Sequence, residues 1–379
     1  MKKILVIHNK YKFLGGEDIA VNAEVSILKK YYDVELLIFD NASINFISDV
    51  YSFVFNRNPR SIRMLKKEIK RFDPHLIYVH NTWYKASVAM FSYLKKINKP
   101  TVIKLHNFRY SCTRHFLNKN HLDKDNICFK CGLRKKGLFN KYFVDSYVKS
   151  FLMIRYGKKY YKMLQSPKFK ITVLTKFHKQ YLEKLGFKGG KIYTLYNPIE
   201  ILHHDNYNPS NYMVYAGRVS KEKGIEELIT SFIKADVNKL ILKIIGVGPD
   251  LEYLKLKYLE NINIEFLGQL TNKQTKLLIS ESKVVVTATK LYEGQPTLLC
   301  EATSLGVPSI FPKFGGIHEF FPSDVKLSFQ QFDYDDLINK IKMVDTKDFS
   351  SEGEKNQVYL AKYFSESNYI ERFNVIINE

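Results

Sequence analysis

Twelve short apolar runs, nearly all followed by a stretch of helical periodicity, constrain this chain more than any other feature. In the first half they are Lys3–His8, Val34–Phe39, Leu76–His80, Thr101–His106, Ile171–Leu174 and Ile192–Leu195. In the second half they are Tyr212–Ala216, Leu240–Ile245, Ile262–Leu267, Lys283–Ala288, Pro308–Phe311 and Val325–Ser328. Strands that are apolar on both faces belong to parallel sheets covered by helices on either side. The pattern predicts an α/β protein with two Rossmann-like doubly wound domains, and 379 residues are enough for two cores. The expected domains are residues 1–197 and 198–362, with a closing helix over residues 363–379. The boundary is the stretch from Asn197-Pro198 to Pro209-Ser210, rich in Asn, His and Pro and without periodicity. Open α/β sheets bind ligands beyond the carboxyl ends of their strands. The expected site is therefore a cleft between two facing domains, lined by the residues that follow each strand.

Charge narrows the partner. Residues 1–195 hold 39 of the 59 Lys and Arg but 13 of the 38 Asp and Glu, a net of +26 against −5 for the remainder. An anionic partner on the first half fits this asymmetry: nucleic acid, an anionic membrane face or a diphosphate-linked acceptor. A solvated Lys-rich surface fits it too. No run of 18 apolar residues is present, so no transmembrane helix is expected. Met1-Lys2-Lys3 precedes only a four-residue apolar stretch, Ile4–Ile7, which reads as a buried first strand rather than a signal peptide. Four cysteines in a chain this size do not make a disulfide framework, and a cytoplasmic location is expected.

The second half carries the clearest chemistry. After Tyr212–Ala216 come Gly217, Arg218 and, at the start of a helix, Lys223-Gly224. Two cations and the amides of a helix N-terminus suit a diphosphate, although a charged surface turn looks the same in isolation. After Lys283–Ala288 comes Glu293-Gly294-Gln295-Pro296-Thr297, and Glu301 follows within a helix. The two carboxylates, eight residues apart, sit at different depths along one wall and can accept from two hydroxyl pairs, one on a sugar and one on a ribose. The amides between Gly294 and Thr297 suit a phosphate. Gly246 and Gly248 follow another strand end and admit a ribose or base close to the backbone. Leu270, after the next strand, frames the base edge.

Tyr215-Ala216-Gly217-Arg218 with Lys223-Gly224, followed by Glu293-Gly294-Gln295-Pro296 with Glu301-Ala302, resembles the signature of the family 4 glycosyltransferases of the GT-B fold. The resemblance runs over nearly the whole chain. It implies transfer of a sugar from a nucleoside-diphosphate donor with retention at the anomeric carbon and no metal requirement. It assigns Arg218 and Lys223 to the diphosphate, Glu293 to the donor sugar and Glu301 to the ribose. UDP is favoured as the commonest nucleotide among such enzymes. The acceptor is expected to be a glycan, lipid-linked, in surface polysaccharide synthesis.

In the first half, Gly15-Gly16-Glu17 opens a helix after the first strand, and glycines there let backbone approach a phosphate or sugar. The resembling family has a similar loop facing donor and acceptor. His106 ends a strand, and the resemblance places such a histidine on the donor sugar; a histidine bonded to a neighbouring loop is the alternative. His80-Asn81 ends the preceding strand and is a candidate for acceptor contact, with Glu17.

Four further patterns remain. Cys112, His115, Cys128 and Cys131 have the spacing of a four-ligand structural zinc site, with reduced thiols or a disulfide as alternatives. Asp123-Lys124-Asp125 and Asp333-Tyr334-Asp335 are chance-level matches to a metal-binding pattern of another fold. Tyr147–Leu164 mixes aromatic and basic residues, as does a helix on an anionic membrane surface, or a core helix with snorkelling lysines. Nucleic acid is disfavoured as a partner, since Glu293 and Glu301 face phosphates badly. A sugar-nucleotide epimerase on the same fold, or a non-catalytic sugar-nucleotide-binding subunit, remains as an alternative.

Overall fold

The computed structural model describes residues 1–10, 16–42, 46–112, 141, 143, 146–202, 209–237 and 239–379. Gly15, His115, Cys128, Cys131 and Asp123-Lys124-Asp125 lie outside them. The chain divides into two compact units, Met1–Pro198 with Ser367–Glu379, and Ile199–Glu366.

The first unit is built on a six-stranded sheet of β1 (Lys3–Lys10), β2 (Asp33–Asp40), β3 (Leu76–Val79), β4 (Thr101–Leu105), β5 (Phe169–Val173) and β6 (Ile192–Thr194). All five pairings are parallel, in the order β2-β1-β3-β4-β5-β6. Ile4 to Ile7 are fully buried, as a strand covered on both faces requires. The helices are α1 (Gly16–Tyr31), α2 (Phe46–Phe55), α3 (Pro59–Phe72), α4 (Ala89–Leu94), α5 (Tyr147–Leu164) and α6 (Lys176–Lys184). Helix α3 shows how local sequence sets an element. The Asn58 side chain caps it by accepting from the Ser61 amide, Pro59 fills the first turn, and Asp73 ends it in the left-handed region at φ 47°. Ser61, Leu65, Ile69 and Phe72 then form its buried stripe.

The second unit carries β7 (Ser210–Ala216), β8 (Ile241–Ile245), β9 (Ile264–Gly268), β10 (Ser282–Val286), β11 (Ser309–Pro312) and β12 (Ser328–Phe329), in the order β12-β11-β10-β7-β8-β9. Its helices are α7 (Ile225–Ala235), α8 (Leu251–Lys257), α9 (Asn272–Ser280), α10 (Thr297–Ser304), α11 (Tyr334–Thr346) and α12 (Ser350–Phe364). One core, including Met213, Leu228, Ile244, Val286, Ile310 and Leu337, joins sheet and helices. All twelve expected strands are present. The last is displaced: the Val325 amide bonds the Pro322 carbonyl and the Lys326 amide bonds the Glu352 carboxylate, so pairing begins only at Ser328.

The closing helix expected over residues 363–379 begins at Glu366. Helix α12 ends at Phe364, Ser365 is extended at ψ 163°, and α13 (Glu366–Asn378) follows. Helix α13 belongs to the first unit: Tyr369, Ile370, Phe373 and Ile376 share a core with Ile4, Val6, Val25, Leu28 and Tyr78. Helix α5 is largely a core helix. Leu152, Met153, Ile154, Tyr156 and Tyr160 are buried, while Tyr147, Val148 and Phe151 are 52%, 69% and 52% exposed. Among the described residues no helix is long and apolar enough to cross a membrane.

Phe373 is fully buried and packs on the rings of Tyr32 and Tyr78 at 5.7 and 5.4 Å. Removing a buried phenyl costs about 3–5 kcal/mol. Phe373→Ala is expected to destabilise the first unit by that amount in denaturant unfolding. A loss below 1 kcal/mol overturns the assignment of α13 to that core.

Candidate active site

In each unit the polar residues gather where adjacent strands send their crossovers to opposite faces, the position at which doubly wound sheets open a crevice. In the second unit this is between β7 and β10. After β7, Gly217 leads to Arg218, whose side chain is exposed and whose carbonyl accepts from the Tyr215 hydroxyl at 3.0 Å. A short turn, Lys221–Lys223, follows, and Gly224 turns at φ 70° into α7. After β10, Glu293 is half-buried. Its Oε1 accepts from Lys223 Nζ at 2.6 Å and from the Thr289 hydroxyl at 2.9 Å. The Lys290 amide also bonds the Glu222 carbonyl, and its ammonium pairs with Glu227. The two loops pack so closely that a Cβ on Gly224 falls 2.0 Å from the Ala288 carbonyl oxygen. Lys223 and Glu293 thus meet directly, and Arg218 follows the end of the same strand, β7, that leads to Lys223.

Gly246 and Gly248 follow β8. A Cβ at either falls 1.9 or 2.0 Å from a carbonyl oxygen, that of Gly217 or of Val219. Only glycine lets the two strand ends run backbone to backbone, with the Val219 amide on the Val247 carbonyl at 3.1 Å. Leu270 is half-buried beyond β9. Gly294 and Gln295 are half-buried and Thr297 is the first residue of α10. Pro296 sits at the cap rather than in the first turn, because its ψ of 88° is not helical. Glu301 lies inside α10; burial raises its pKa, opposed by Lys276 and by a hydrogen bond from Asn272. Burial likewise pushes the Cys300 thiol up, so it is a core group.

In the first unit the switch lies between β1 and β3. The Asn9 amide bonds the Asn81 carbonyl at 3.0 Å, and the Asn81 side-chain amide bonds the Asn9 carbonyl at 2.9 Å. Beside them a pocket is lined by Glu17, His80, Asn81, Lys104, His106, Asn107, Arg109 and Tyr156, among others. It gathers the residues expected from sequence: His106 follows β4, His80 and Asn81 follow β3, and Glu17 begins α1 next to an exposed Gly16. The Asn107 amide donates to Glu17 at 3.1 Å, and His106 Nε2 lies 2.9 Å from His80 Nδ1. Burial holds the pKa of both histidines well below the usual imidazole range, helped by the Lys104 charge.

Sequence reasoning passed over Glu24, Lys104 and Arg109. Glu24 and Lys104 pair at 3.0 Å with neither side chain exposed. The signal was there: a lysine at a fully buried position of β4, and a glutamate on the apolar stripe Val21, Val25, Leu28 of α1. Glu24, His80 and His106 also place ligand-type atoms within 4.8 Å of one another. The donors Tyr78, Lys104 and Tyr369 already converge on the Glu24 carboxylate, so the cluster is arranged as a hydrogen-bond network. Of the four residues with zinc spacing, only Cys112, a buried thiol, is among the described residues.

Two doubly wound parallel-sheet units, each with its polar cluster at a crossover switch, are the architecture of the GT-B class. The second unit matches the family described as Glycosyl transferases group 1 over residues 200–362, and residues 43–201 match Glycosyltransferase Family 4. The chain belongs to the family 4 glycosyltransferases. It is 32% identical over 139 residues to the phosphatidylinositol N-acetylglucosaminyltransferase gpi3 subunit of Schizosaccharomyces pombe, over 35% of this chain and 30% of that protein. It is 30% identical over 148 residues to the O-antigen biosynthesis glycosyltransferase WbnH of Escherichia coli, over 37% of this chain and 40% of that one. The matched stretch thus spans less than half the length of these relatives. The structure of Anabaena HepE in complex with UDP-glucose has the same fold, with a TM-score of 0.67 over all of both chains at 15% identity.

Three imidazoles, those of buried His80 and His178 and of half-buried His106, have pKa values lowered by desolvation, that of His178 to about 3. They stay neutral in the folded chain and protonate near pH 6.5 when unfolded. Their contribution is fully present above that pH and is lost as pH falls below it. From pH 7.5 to 5, unfolding free energy is expected to fall by about 2 kcal/mol for each such group, 1.4 kcal/mol per unit. A flat pH dependence of denaturant melts over this range overturns the neutral assignment.

Proposed function

We propose that this chain transfers a sugar from a nucleoside-diphosphate donor, a UDP-sugar in first place, to a lipid-linked glycan acceptor with retention of anomeric configuration. The observation that carries the reading is the Lys223–Glu293 contact at the β7/β10 switch, 2.6 Å long and bordered by the glycine-lined end of β8. A cation, a carboxylate and closely approached backbone there suit a phosphate, a sugar hydroxyl and a ribose. The HepE structure with UDP-glucose and the O-antigen enzyme WbnH support the donor class and the surface-polysaccharide context.

Departure of the nucleoside diphosphate leaves an oxocarbenium-like sugar and builds negative charge on the phosphate. Arg218 and Lys223 stabilise that charge, Glu293 orients the sugar and Glu301 the ribose. The leaving phosphate oxygen accepts the acceptor hydroxyl proton on the same face, so configuration is retained and no protein nucleophile is required. Glu17 and Asn81 serve the acceptor side, with His80 behind them. Each well-placed electrostatic donor is worth about 10²–10³ in turnover. Arg218→Ala and Lys223→Ala are each expected to lower transfer by about 100-fold with melting temperatures near wild type. Turnover within twofold of wild type for both overturns the reading. An epimerised sugar nucleotide as the sole product favours the epimerase alternative.

The acceptor reading extends to an anionic membrane surface on the cytoplasmic side. Tyr147, Val148 and Phe151 are exposed on α5, and Lys149, Arg155, Lys158 and Lys162 are exposed beside them. Such cations contribute about 1 kcal/mol each near anionic lipid and are screened by salt. Replacing Arg155, Lys158, Lys159 and Lys162 with Gln is expected to weaken sedimentation with phosphatidylserine vesicles at low salt while donor hydrolysis persists. A wild-type protein that ignores such vesicles at low salt overturns the membrane assignment.

A further inference from the structure

Behind the first unit's pocket lies a chain of buried polar groups. His106 is half-buried and its Nε2 is turned inward, 2.9 Å from His80 Nδ1, with the rings stacked at 5.2 Å. This leaves His106 Nδ1 as the ring nitrogen that faces the pocket. Behind His80 stands Glu24 of α1, its Oε2 3.9 Å from His80 Nδ1 and neither side chain exposed. Glu24 Oε1 accepts from Tyr78 of β3 at 2.8 Å, from Lys104 of β4 at 3.0 Å and from Tyr369 of α13. Among the described residues, buried Glu24 Oε2 and His80 Nε2 have no hydrogen-bond partner, and neither does Nδ1 of the neighbouring His8. His8 of β1, bonded to Asp18 of α1, completes the surroundings, its ring 6.3 Å from that of His80.

Both histidines are neutral, so each carries one proton and a single proton bridges them. If His106 donates that proton, His80 Nδ1 is an unprotonated nitrogen 3.9 Å from the Glu24 carboxylate and an N–H is stranded at its buried Nε2. If His80 donates, its Nδ1–H points to His106 with the Glu24 carboxylate 3.9 Å from that nitrogen, and only a lone pair is stranded at Nε2. Buried unpaired acceptors are tolerated better than buried unpaired donors, and a carboxylate favours the nearby N–H. Both considerations select the second arrangement, in which His106 accepts at Nε2 and carries its own proton on Nδ1.

We propose that Glu24, which lies behind His80 and does not line the pocket, is a positioning residue that fixes the His80 proton on Nδ1 and thereby makes His106 an N–H donor toward the pocket. The group it recognises is an oxygen acceptor, such as a sugar hydroxyl or ring oxygen. His106 is then excluded as the base that deprotonates an acceptor hydroxyl. The sugar assignment rests on the proposed function; the proton position does not.

Long-range ¹H–¹⁵N spectra of protein labelled at its ten histidines report the proton position directly. The His106 signals are identified by their loss in His106→Gln. In the wild type the proton is expected on Nδ1. Glu24→Gln keeps the shape but puts an amide N–H opposite His80, and is expected to move the His106 proton to Nε2. Transfer then falls by about tenfold, the loss of one hydrogen bond, by the same factor from pH 6.5 to 8, while calorimetric affinity for UDP is unchanged. A wild-type His106 protonated on Nε2 overturns the inference even if Glu24→Gln fails to fold. So does a folded Glu24→Gln with the wild-type tautomer. The expected spectra from a chain that transfers no sugar overturn the proposed function and leave the positioning role standing.

Discussion

A parallel sheet cannot be closed by tight turns. Each pair of strands needs a crossover, and crossovers that leave in opposite directions part the loops at one place. That constraint decides where this chain can do chemistry. In the first unit the parting falls between β1 and β3, in the second between β7 and β10. Asn9 and Asn81 stitch the first by paired hydrogen bonds; Lys223, Glu293 and Lys290 stitch the second by charge. The glycines follow from the same constraint. At Gly224, Gly246 and Gly248 the loop backbones lie against a neighbouring carbonyl with no room for a Cβ, which frees the crevice wall to present main-chain groups rather than side chains.

The sheets were legible in the sequence because strands buried on both faces must be apolar throughout, and twelve such runs survive any single misplaced boundary. The second unit's candidate site stands out in the sequence because its residues follow directly on strand ends. The first unit's network stands out less. Glu24 and Lys104 are 80 residues apart and each is one charge in an apolar neighbourhood; nothing local says that they meet. Local pattern also could not say which core takes the last helix. Its stripe Tyr369, Ile370, Phe373, Ile376 fits any apolar surface, and only tertiary packing assigns it to the first sheet. For α5 the sequence left core and membrane readings open because aromatic residues serve both. Folding divides them: Tyr156 and Tyr160 go inward, Tyr147 and Phe151 outward.

The two polar clusters differ in how they use charge. Lys223 and Glu293 are each about a quarter exposed, at 28% and 21%, so their attraction is screened and either can exchange its partner for a ligand group at small cost. Glu24 and Lys104 are fully buried. Taking two ions out of water costs more than their attraction returns unless further hydrogen bonds complete the shell. Tyr78 and Tyr369 supply those bonds. Such a pair contributes little net stability, but removing one member leaves a buried charge and is strongly destabilising. The arrangement therefore suits a fixed orientation for His80 and His106, just as the exposed pair suits a ligand that comes and goes.

Tyr369 makes this fixed orientation a property of the whole chain. Its bond to Glu24 spans 345 residues, the full second unit intervening. Closing so long a loop costs entropy that only the later contacts of α13 offset. Before the last helix docks, the apolar surface of Ile4, Val25 and Tyr78 is left open, and the Glu24–Lys104 pair lacks one of its two tyrosine donors. Docking of α13 completes the core and the carboxylate's shell in one step. The first unit's pocket thus acquires its settled electrostatics only once the second unit has been synthesised.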